Sequence, residues 1–205
     1  MITSGAGKIM QEFKSSSQAG QDMFAYIACG MKPDGTFIDI GMGHPTERNN
    51  TWALEQIGWS GIMIDASDEL GALAHLRSSR FIHGNAVDMD WSLVLKTNFT
   101  DYLSLDVDES SLSALNKFPL SSHRFRAITI EHDLYRFGTG PKVEMINILG
   151  LYGYSLVSEN VTDEGLPFED WWVDMDLVDQ GVISKFISKG RDGKELSNEV
   201  AKQLL

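Results

Sequence analysis

Short apolar segments alternate with segments of helical periodicity over the first 150 residues of the chain. The apolar segments that predict strands are residues 36–40, 61–64, 80–83, 102–107 and 126–130. The segments that predict helices are residues 50–57, 67–77, 109–116 and about 141–149. A helix between two successive strands makes those strands run parallel, and the helices then cover both faces of the sheet. The sequence therefore predicts a three-layer α/β fold with a mostly parallel sheet.

The alternation stops after residue 150. Residues 154–161 and 171–173 predict two strands joined by a loop with glycine and proline, which indicates an antiparallel strand at one edge of the sheet. Residues 179–205 predict two helices that are separated at residues 190–193. The chain of 205 residues has the length of one domain. Within it we expect an N-terminal helical segment at 1–30, the sheet core at 35–175 and C-terminal helices at 176–205.

The charge of the chain limits its partners. Acidic residues outnumber basic residues by 29 to 17, which gives a formal net charge of −12. Such a chain does not attract a phosphate backbone or an anionic membrane surface, so we expect neither nucleic acid nor membrane as a partner. The single cysteine, Cys29, excludes an internal disulfide and a cysteine-based zinc cluster. No apolar run resembles a secretory signal or a membrane span, and we expect a cytoplasmic protein.

Acidic or amide side chains stand at the carboxyl end of each predicted parallel strand. In an open α/β sheet, ligands bind at this edge, so these side chains are candidates for a binding site. In strand order, the ends contribute Asp39-Ile40-Gly41-Met42-Gly43, Asp65-Ala66, Asn85-Ala86-Val87-Asp88, Asp106-Val107-Asp108 and Glu131-His132-Asp133.

The glycine loop after the first strand is the most specific local signal. Gly41 and Gly43 would let the backbone turn sharply and approach a ligand closely, although two glycines are also common in plain turns. Asp65, at the end of the next strand, stands where a carboxylate binds the hydroxyls of a ribose. Thr46 replaces the third glycine of a dinucleotide-binding loop. The pattern therefore favours a ligand that has a ribose and no phosphates.

Several short segments between residues 17 and 173 form a recognisable combination. They are Ser17-Gln18-Ala19-Gly20-Gln21-Asp22, Phe37-Ile38-Asp39-Ile40-Gly41, Asn50-Thr51, Leu54-Glu55, Gly58-Trp59-Ser60-Gly61, Leu103-Ser104-Leu105-Asp106-Val107-Asp108, Thr129-Ile130-Glu131-His132-Asp133, Gly153-Tyr154 and Phe168-Glu169-Asp170-Trp171-Trp172-Val173. In this combination the sequence resembles the FkbM-type methyltransferases, a branch of the class I S-adenosylmethionine-dependent methyltransferases. It departs from their pattern after Gly43, where His44-Pro45 stands in place of a small residue.

The resemblance implies a seven-stranded Rossmann-like sheet with the strand order 3-2-1-4-5-7-6 and S-adenosylmethionine as the cofactor. This cofactor carries a sulfonium and an ammonium cation but no phosphate, which agrees with an acidic strand edge. The implied contacts are Asp39, Gly41, Met42 and Gly43 at the methionine part, Asp65 and Ala66 at the ribose, Asn85 and Ala86 at the adenine, and Asp106 at the sulfonium.

A hydroxyl group is a weak nucleophile at neutral pH, so methyl transfer to a hydroxyl needs a general base or a metal ion. His132 is the candidate base, because imidazole titrates near neutral pH. Asp106 and Glu131 are the catalytic carboxylates expected beside it. A single histidine is also often only a hydrogen-bonded structural residue, and that interpretation stays open.

Asp106, Asp108, Glu131 and Asp133 follow adjacent strands and carry the oxygen ligands that Mg²⁺ and Ca²⁺ prefer. The alternative is that these acids bind the amino group of the cofactor, cap helices or face water. We favour this alternative, because two aspartates separated by one residue of a strand share a side of it but fix no coordination geometry. Magnesium is the less favoured hypothesis.

The sequence as a whole is interpreted as a methyltransferase that acts on a hydroxyl group of a small molecule or a sugar. Residues 139–142 and 160–172, together with the N-terminal segment, would bind this acceptor. Such thin cover of the site makes a homo-oligomer a further expectation. Two alternatives remain, a nicotinamide-dependent oxidoreductase of related fold and a module that binds S-adenosylmethionine without catalysis.

Overall fold

An eight-stranded sheet forms the centre of the computed structural model, which describes residues 13–205. The strands are β1 Thr36–Ile40, β2 Ser60–Asp65, β3 Arg80–His83, β4 Phe99–Leu105, β5 Arg124–Glu131, β6 Ser155–Asp163, β7 Leu166–Val173 and β8 Ser188–Lys189. Their order in the sheet is β3-β2-β1-β4-β5-β7-β6-β8. The strands β1 to β5 pair in parallel, whereas β7 runs antiparallel to β5 and β6. The predicted α/β class with a mostly parallel sheet is confirmed.

Helices connect the parallel strands and cover the sheet. Within residues 13–205 the α-helices are α1 Gln21–Ala28, α2 Trp52–Gln56, α3 Asp68–Ala72, α4 Trp91–Val94, α5 Ser111–Lys117, α6 Leu134–Phe137, α7 Thr139–Leu151, α8 Gln180–Ile183 and α9 Gly193–Leu204. None of the helices in this range has both the length and the apolar composition that crossing a membrane requires. The predicted N-terminal helical segment 1–30 contains α1, and its first 12 residues lie outside the described part of the chain.

The sheet has one more strand than the resemblance implies. The extra strand β8 lies in the C-terminal region, where the sequence predicts only helices. It pairs in parallel with Ser158 and Glu159 of β6. The pairing continues past β8, because Gly190 N–H donates to the carbonyl of Glu159 at 2.8 Å and Thr162 N–H to that of Arg191 at 2.9 Å. A two-residue strand has too little periodicity to be recognised in a sequence, so the prediction of a helix up to the break at residues 190–193 is wrong at this point.

The hydrophobic core forms two layers, one on each face of the sheet. The first layer contains Phe24 of α1, which stacks on Trp171 of β7 with ring centroids 4.7 Å apart. The second layer contains Trp172 of the same strand together with Leu115 of α5 and Leu149 of α7. Neighbouring residues of a strand point to opposite faces, which is why Trp171 and Trp172 enter different layers. The predicted three-layer architecture is confirmed.

The carboxyl ends of the central strands are held side by side by backbone hydrogen bonds. Asp106 N–H donates to the carbonyl of Ile40 and Gly41 N–H donates to that of Ile64, both at 2.9 Å. These bonds continue the ladders of β1, β2 and β4 by one residue beyond the strands. The loops that leave the sheet here therefore start from fixed positions.

Candidate active site

A cleft of about 610 Å³ opens at the carboxyl ends of β1, β2, β3 and β4. Its volume lies in the range of small-molecule and cofactor sites. All the residues predicted to bind the cofactor line this cleft, namely Asp39, Gly41, Met42, Gly43, Asp65, Ala66, Asn85, Ala86 and Asp106. The topology thus brings them together, while their contact with a cofactor stays a prediction.

Gly41 allows the loops after β1 and β4 to touch. Its φ is +83°, and a Cβ at this position would collide with the carbonyl oxygen of Asp106. The close approach that the sequence indicates at Gly41 is therefore an approach to the protein's own backbone. Gly43 also has a positive φ, of +60°, but the space around its Cα is open. The two glycines of the loop thus serve different purposes.

Asp65 is held by the backbone and faces the cleft. One carboxylate oxygen accepts the N–H of Gly43 at 2.9 Å, and the other accepts the N–H of Ser67 at 2.8 Å. A carboxylate oxygen has two lone pairs, so each can accept one more hydrogen bond. Asp65 is therefore an oriented acceptor with capacity for two adjacent hydroxyl groups.

Asp39 lies at the base of the cleft, where other side chains of the protein already hydrogen-bond its carboxylate. The residue is 1% exposed, and it accepts hydrogen bonds from Thr51 Oγ1 at 2.7 Å and Asn49 Nδ2 at 3.4 Å. Burial raises the pKa of Asp39 to about 6, against the opposing effects of Thr51 and Arg77. Its carboxylate therefore organises the turn before α2. The sequence does not reveal this role, because the partners lie 10 and 12 residues further along.

Asn50 is a lining residue that sequence reasoning did not assign to the cofactor. Its Nδ2 donates to Ser104 Oγ at 3.0 Å, whereas its Oδ1 is buried without a hydrogen-bond partner in the described chain. The available signal was the Asn50-Thr51 pair in the FkbM-type combination. An unpaired buried acceptor is uncommon in folded proteins and calls for an explanation.

Four carboxyl groups at the ends of β4 and β5 form the carboxyl cluster, which we define as Asp106, Asp108, Glu131 and Asp133. Glu131 is 9% exposed and accepts the N–H of Asp108 at 3.0 Å. Burial and the neighbouring carboxylates raise the pKa of both Glu131 and Asp106 above the usual range. Buried and crowded carboxyl groups are harder to ionise, so this pair can hold a proton and transfer it.

Arg136 of α6 brings positive charge to the carboxyl cluster. Its guanidinium pairs with Asp133 at 2.7 Å and also with Asp108. Oxygens of Asp108, Glu131 and Asp133 lie within 4.8 Å of one another, so these residues could hold a metal ion. Since Arg136 already contacts two of the three, a metal ion would compete with a guanidinium. Magnesium stays the less favoured hypothesis.

His132 does not line the cleft. It is 2% exposed and borders a separate cavity of about 110 Å³ beside α7. Its Nδ1 accepts the N–H of Leu134 at 3.1 Å, and its Nε2 lies 3.2 Å from the carboxylate of Asp170. Consecutive residues of a strand point to opposite sides, so His132 and Glu131 leave the end of β5 in different directions. The expectation that both residues face one site is corrected, and the role of His132 as a base stays a prediction.

The charged side chains that line the cleft are mainly acidic. Arg48 is the single arginine or lysine among the described lining residues, and it also pairs with Asp163 at 2.9 Å. The glycine loop does not lead directly into a helix, because α2 begins only at Trp52. In dinucleotide-binding folds, the pyrophosphate sits at a helix N-terminus that follows the glycine loop. The cleft therefore suits a cationic ligand better than a dinucleotide.

A smaller cavity of about 90 Å³ adjoins the cleft at Gln18, which lines both. Glu131 borders this cavity on one side and Phe168 of β7 on another. The predicted acceptor segment 160–172 therefore contributes to a cavity beside the carboxyl cluster. Residues 139–142 contribute nothing to it, because they form the start of α7.

Comparison with known proteins finds similarity at the level of structure. No protein-family model matches the sequence, and no curated protein matches it. The O-methyltransferase from Bacillus cereus, solved in complex with SAH, has a TM-score of 0.56 and 15% identity over 83% of this chain and 91% of its own. Cofactor-bound Rv0187 from MTB has a TM-score of 0.55 and 13% identity over 82% and 86%. The methyltransferase domain of METTL16 has a TM-score of 0.54 and 14% identity over 75% and 66%.

Similarities at this low level of identity establish the fold. The chain has the Rossmann-like α/β fold of the class I S-adenosylmethionine-dependent methyltransferases. The strand order that the resemblance implies, 3-2-1-4-5-7-6, is present with β8 added at one edge.

Proposed function

We propose that the protein is a S-adenosylmethionine-dependent methyltransferase of the FkbM type, which methylates a hydroxyl group of a small molecule or a sugar. The observation that carries this proposal is the carboxylate of Asp65. It stands at the end of β2, is held by two backbone N–H groups and retains free lone pairs in the cleft. A carboxylate at this place in a Rossmann-like sheet is the usual acceptor for a ribose diol.

The lining residues fit the functional groups of S-adenosylmethionine. Asp65 would hold the ribose hydroxyls, and Asn85 and Ala86 would lie by the adenine. Arg48 would neutralise the carboxylate of the amino-acid part, and the unpaired Oδ1 of Asn50 fits a ligand that brings a donor. When bound, the sulfonium supplies an electrophilic methyl group.

The carboxyl cluster supplies the base in this proposal. Asp106 lines the cleft, Glu131 lines the adjoining cavity, and the two residues follow paired positions of β4 and β5. Burial and the neighbouring carboxylates raise the pKa values of this pair, so its ionised member is a stronger base than an ordinary carboxylate toward an acceptor hydroxyl in that cavity. The carboxyl pair takes the hydroxyl proton as the acceptor oxygen attacks. Arg136 offsets part of the negative charge of the cluster.

The expectations on partners and location belong to the same proposal. A net charge of −12 disfavours nucleic acid and anionic membranes as partners. The thin cover of the site, to which residues 160–172 contribute, favours a homo-oligomer that completes it. A cytoplasmic location rests on the composition of the sequence.

Two other functions are less favoured on specific grounds. A nicotinamide-dependent oxidoreductase would place a pyrophosphate in a cleft lined mainly by acids, with Thr46 in place of the third glycine. A module that only binds S-adenosylmethionine would have no use for a carboxyl pair with a raised pKa beside the acceptor cavity.

Isothermal titration calorimetry tests the cofactor class. S-adenosylmethionine, S-adenosylhomocysteine and NADH are titrated into the full chain under the same conditions. We expect the first two to bind and NADH to give no heat of binding. Binding of NADH without binding of either adenosyl compound would contradict the proposal and favour the oxidoreductase.

A turnover assay tests the reaction and its metal dependence. The protein is incubated with S-adenosylmethionine and a panel of sugars and small alcohols, and S-adenosylhomocysteine is measured with and without EDTA. We expect product with at least one acceptor, at a rate that EDTA leaves unchanged. Loss of turnover in EDTA that Mg²⁺ restores would assign the metal-dependent mechanism. Cofactor binding with no product from any acceptor would favour the binding module.

A further inference from the structure

The side-chain amide of Asn50 has a fixed orientation at the wall of the cleft. Asn50 lines the cleft, is 7% exposed and donates from Nδ2 to Ser104 Oγ at 3.0 Å. Ser104 lies on β4 in register with Asp39 of β1, and its hydroxyl oxygen accepts the amide N–H of Asn50 there. The amide nitrogen therefore faces β4, and the amide oxygen lies on the opposite side of the planar amide group.

The amide oxygen of Asn50 is the unsatisfied atom of a turn whose other side chains are well bonded. Oδ1 of Asn49 accepts the N–H groups of Thr51 and Trp52 at 2.9 and 2.7 Å. The hydroxyl of Thr51 donates to Asp39 at 2.7 Å. Oδ1 of Asn50 is buried and has no partner within the described chain. Because Asn50 also lines the cleft, a ligand in the cleft can supply the missing donor.

The order of the strands indicates which part of the ligand would meet Asn50. Asn85 stands at the end of β3 and Asp65 at the end of β2, where the adenine and the ribose would lie. Ser104, which holds Asn50, lies on β4 in register with Asp39 of β1. Since the sheet order is β3-β2-β1-β4, the amino-acid part of the ligand extends toward Asn50. The N–H donors of that part belong to the α-ammonium.

We propose that Oδ1 of Asn50 accepts a hydrogen bond from the α-ammonium of S-adenosylmethionine, and that Asn50 thereby selects ligands that carry this amine. The inference rests on the proposed function. Asp39, which the resemblance assigns to the methionine part, is here a positioning residue. Its carboxylate is occupied by Thr51 and Asn49, and it fixes the turn that carries Asn50.

Calorimetry on Asn50→Ala tests this contact without measuring turnover. S-adenosylhomocysteine is compared with 5′-methylthioadenosine, which lacks the amino-acid part. A lost hydrogen bond to a charged group should weaken the binding of S-adenosylhomocysteine about tenfold to a hundredfold. The affinity for 5′-methylthioadenosine should change by less than about threefold. The exposed Asn116 of α5 provides the matched control, because Asn116→Ala should leave both affinities unchanged.

A second measurement on the unaltered protein keeps the proposal testable even if Asn50→Ala folds poorly. The wild type should bind S-adenosylhomocysteine about tenfold to a hundredfold more tightly than the analogue that lacks the α-amino group. Asn50→Ala should lose most of this preference. A wild type that binds both compounds equally well would overturn the proposal. Equal weakening of all ligands by Asn50→Ala would also overturn it, because Asn50 would then only shape the cleft. Failure of the wild type to bind any adenosyl compound would instead overturn the proposed function, and this inference with it.

Discussion

The two sides of the cleft hold their carboxylates in different ways. On the β2 side, Asp65 stands by itself, and its oxygens accept the backbone N–H groups of Gly43 and Ser67. On the β4 and β5 side, Asp106 stands beside Glu131 of the adjoining cavity, and burial and the neighbouring carboxyl groups raise the pKa of both. A carboxylate fixed by backbone donors is a stable acceptor, whereas crowded carboxyl groups hold protons that can move. The same chemical group thus suits ligand binding on one side and proton transfer on the other.

The register of the sheet produces this difference. Leu105 of β4 pairs with Ile130 of β5, so Asp106 and Glu131 follow side by side on strands about 4.8 Å apart. Asp65 ends β2, which is separated from β4 by the whole of β1. One intervening strand is therefore enough to separate an isolated carboxylate from a crowded pair.

Glu131→Gln should have the largest effect, because it removes one carboxyl group of the pair that takes the hydroxyl proton. We expect turnover at saturating S-adenosylmethionine, measured as released S-adenosylhomocysteine, to fall about 10²–10⁴-fold. His132→Asn changes a side chain outside the cleft and should lower turnover by less than about tenfold. Circular dichroism on both variants controls for folding. If His132→Asn stops turnover and Glu131→Gln does not, the base predicted from the sequence is correct and the carboxyl pair has another role.

Gly41→Ala and Gly43→Ala test how the loop after β1 connects the two sides of the cleft. Both residues have a positive φ, so each alanine is strained by about 1–2 kcal/mol. At Gly41 the new Cβ also collides with the carbonyl of Asp106, which adds about 1–3 kcal/mol. Urea unfolding should therefore show a loss of about 2–5 kcal/mol for Gly41→Ala, against about 1–2 kcal/mol for Gly43→Ala. Equal losses would mean that the loops after β1 and β4 do not touch.

Asp65→Ala, on the β2 side of the cleft, should weaken the affinity for the ligand. The loss of two hydrogen bonds to a charged acceptor should cost about 1.5–3 kcal/mol, which is at least about tenfold in the affinity for S-adenosylmethionine. Asp68→Ala is the matched control, since its side chain is 98% exposed and does not line the cleft. Calorimetry measures both variants. An unchanged affinity in Asp65→Ala would remove this residue from the binding site and the main support from the proposed function.

The smallest expected effect is on the pH dependence of stability, to which the pair of Asp106 and Glu131 contributes. Burial and the adjacent carboxylates raise the pKa of Glu131 in the folded protein, so above about pH 4.5 this group binds more protons in the folded than in the unfolded chain. Its contribution to the free energy of unfolding therefore falls as the pH rises above that value. Glu131→Gln removes this contribution and should make the slope against pH less negative by less than about 1.4 kcal/mol per pH unit. Glu109→Gln changes an exposed residue and should keep the wild-type slope of the unfolding free energy against pH. The same slope in Glu131→Gln would contradict a raised pKa at Glu131.

The residues that line the cleft could be predicted from the sequence, because their positions depend on where strands end. Asp39, Asp65 and Asp106 each stand at the end of a short apolar segment, and parallel strands place such ends at one edge. The side of the sheet toward which a side chain points is harder to predict. The sequence ends the fifth strand at residue 130, whereas β5 ends at Glu131. His132 follows directly after Glu131 and borders the cavity beside α7, because successive side chains alternate in direction.

Other parts of the site depend on contacts between distant residues and have no local signal. Asn50 acquires its orientation from Ser104, which lies 54 residues away. Arg136 joins the carboxyl cluster through Asp108, 28 residues before it. Neither pairing follows from periodicity or composition, because both arise only after the strands have assembled. The sequence therefore indicates the acids of the site but not the groups that orient or neutralise them.

The short strand β8 also determines how the sheet behaves toward other molecules. An uncovered β6 would present a row of unpaired backbone groups, the kind of template that recruits strands from other chains into aggregates. Residues 188–192 cover this row, and the exposed Lys189 places a charge there that pairs with Glu159 at 2.9 Å. At the opposite end, β3 has only four residues. The sheet is therefore a poor template for extension from one molecule to the next, and we expect any homo-oligomer to assemble through helical surfaces.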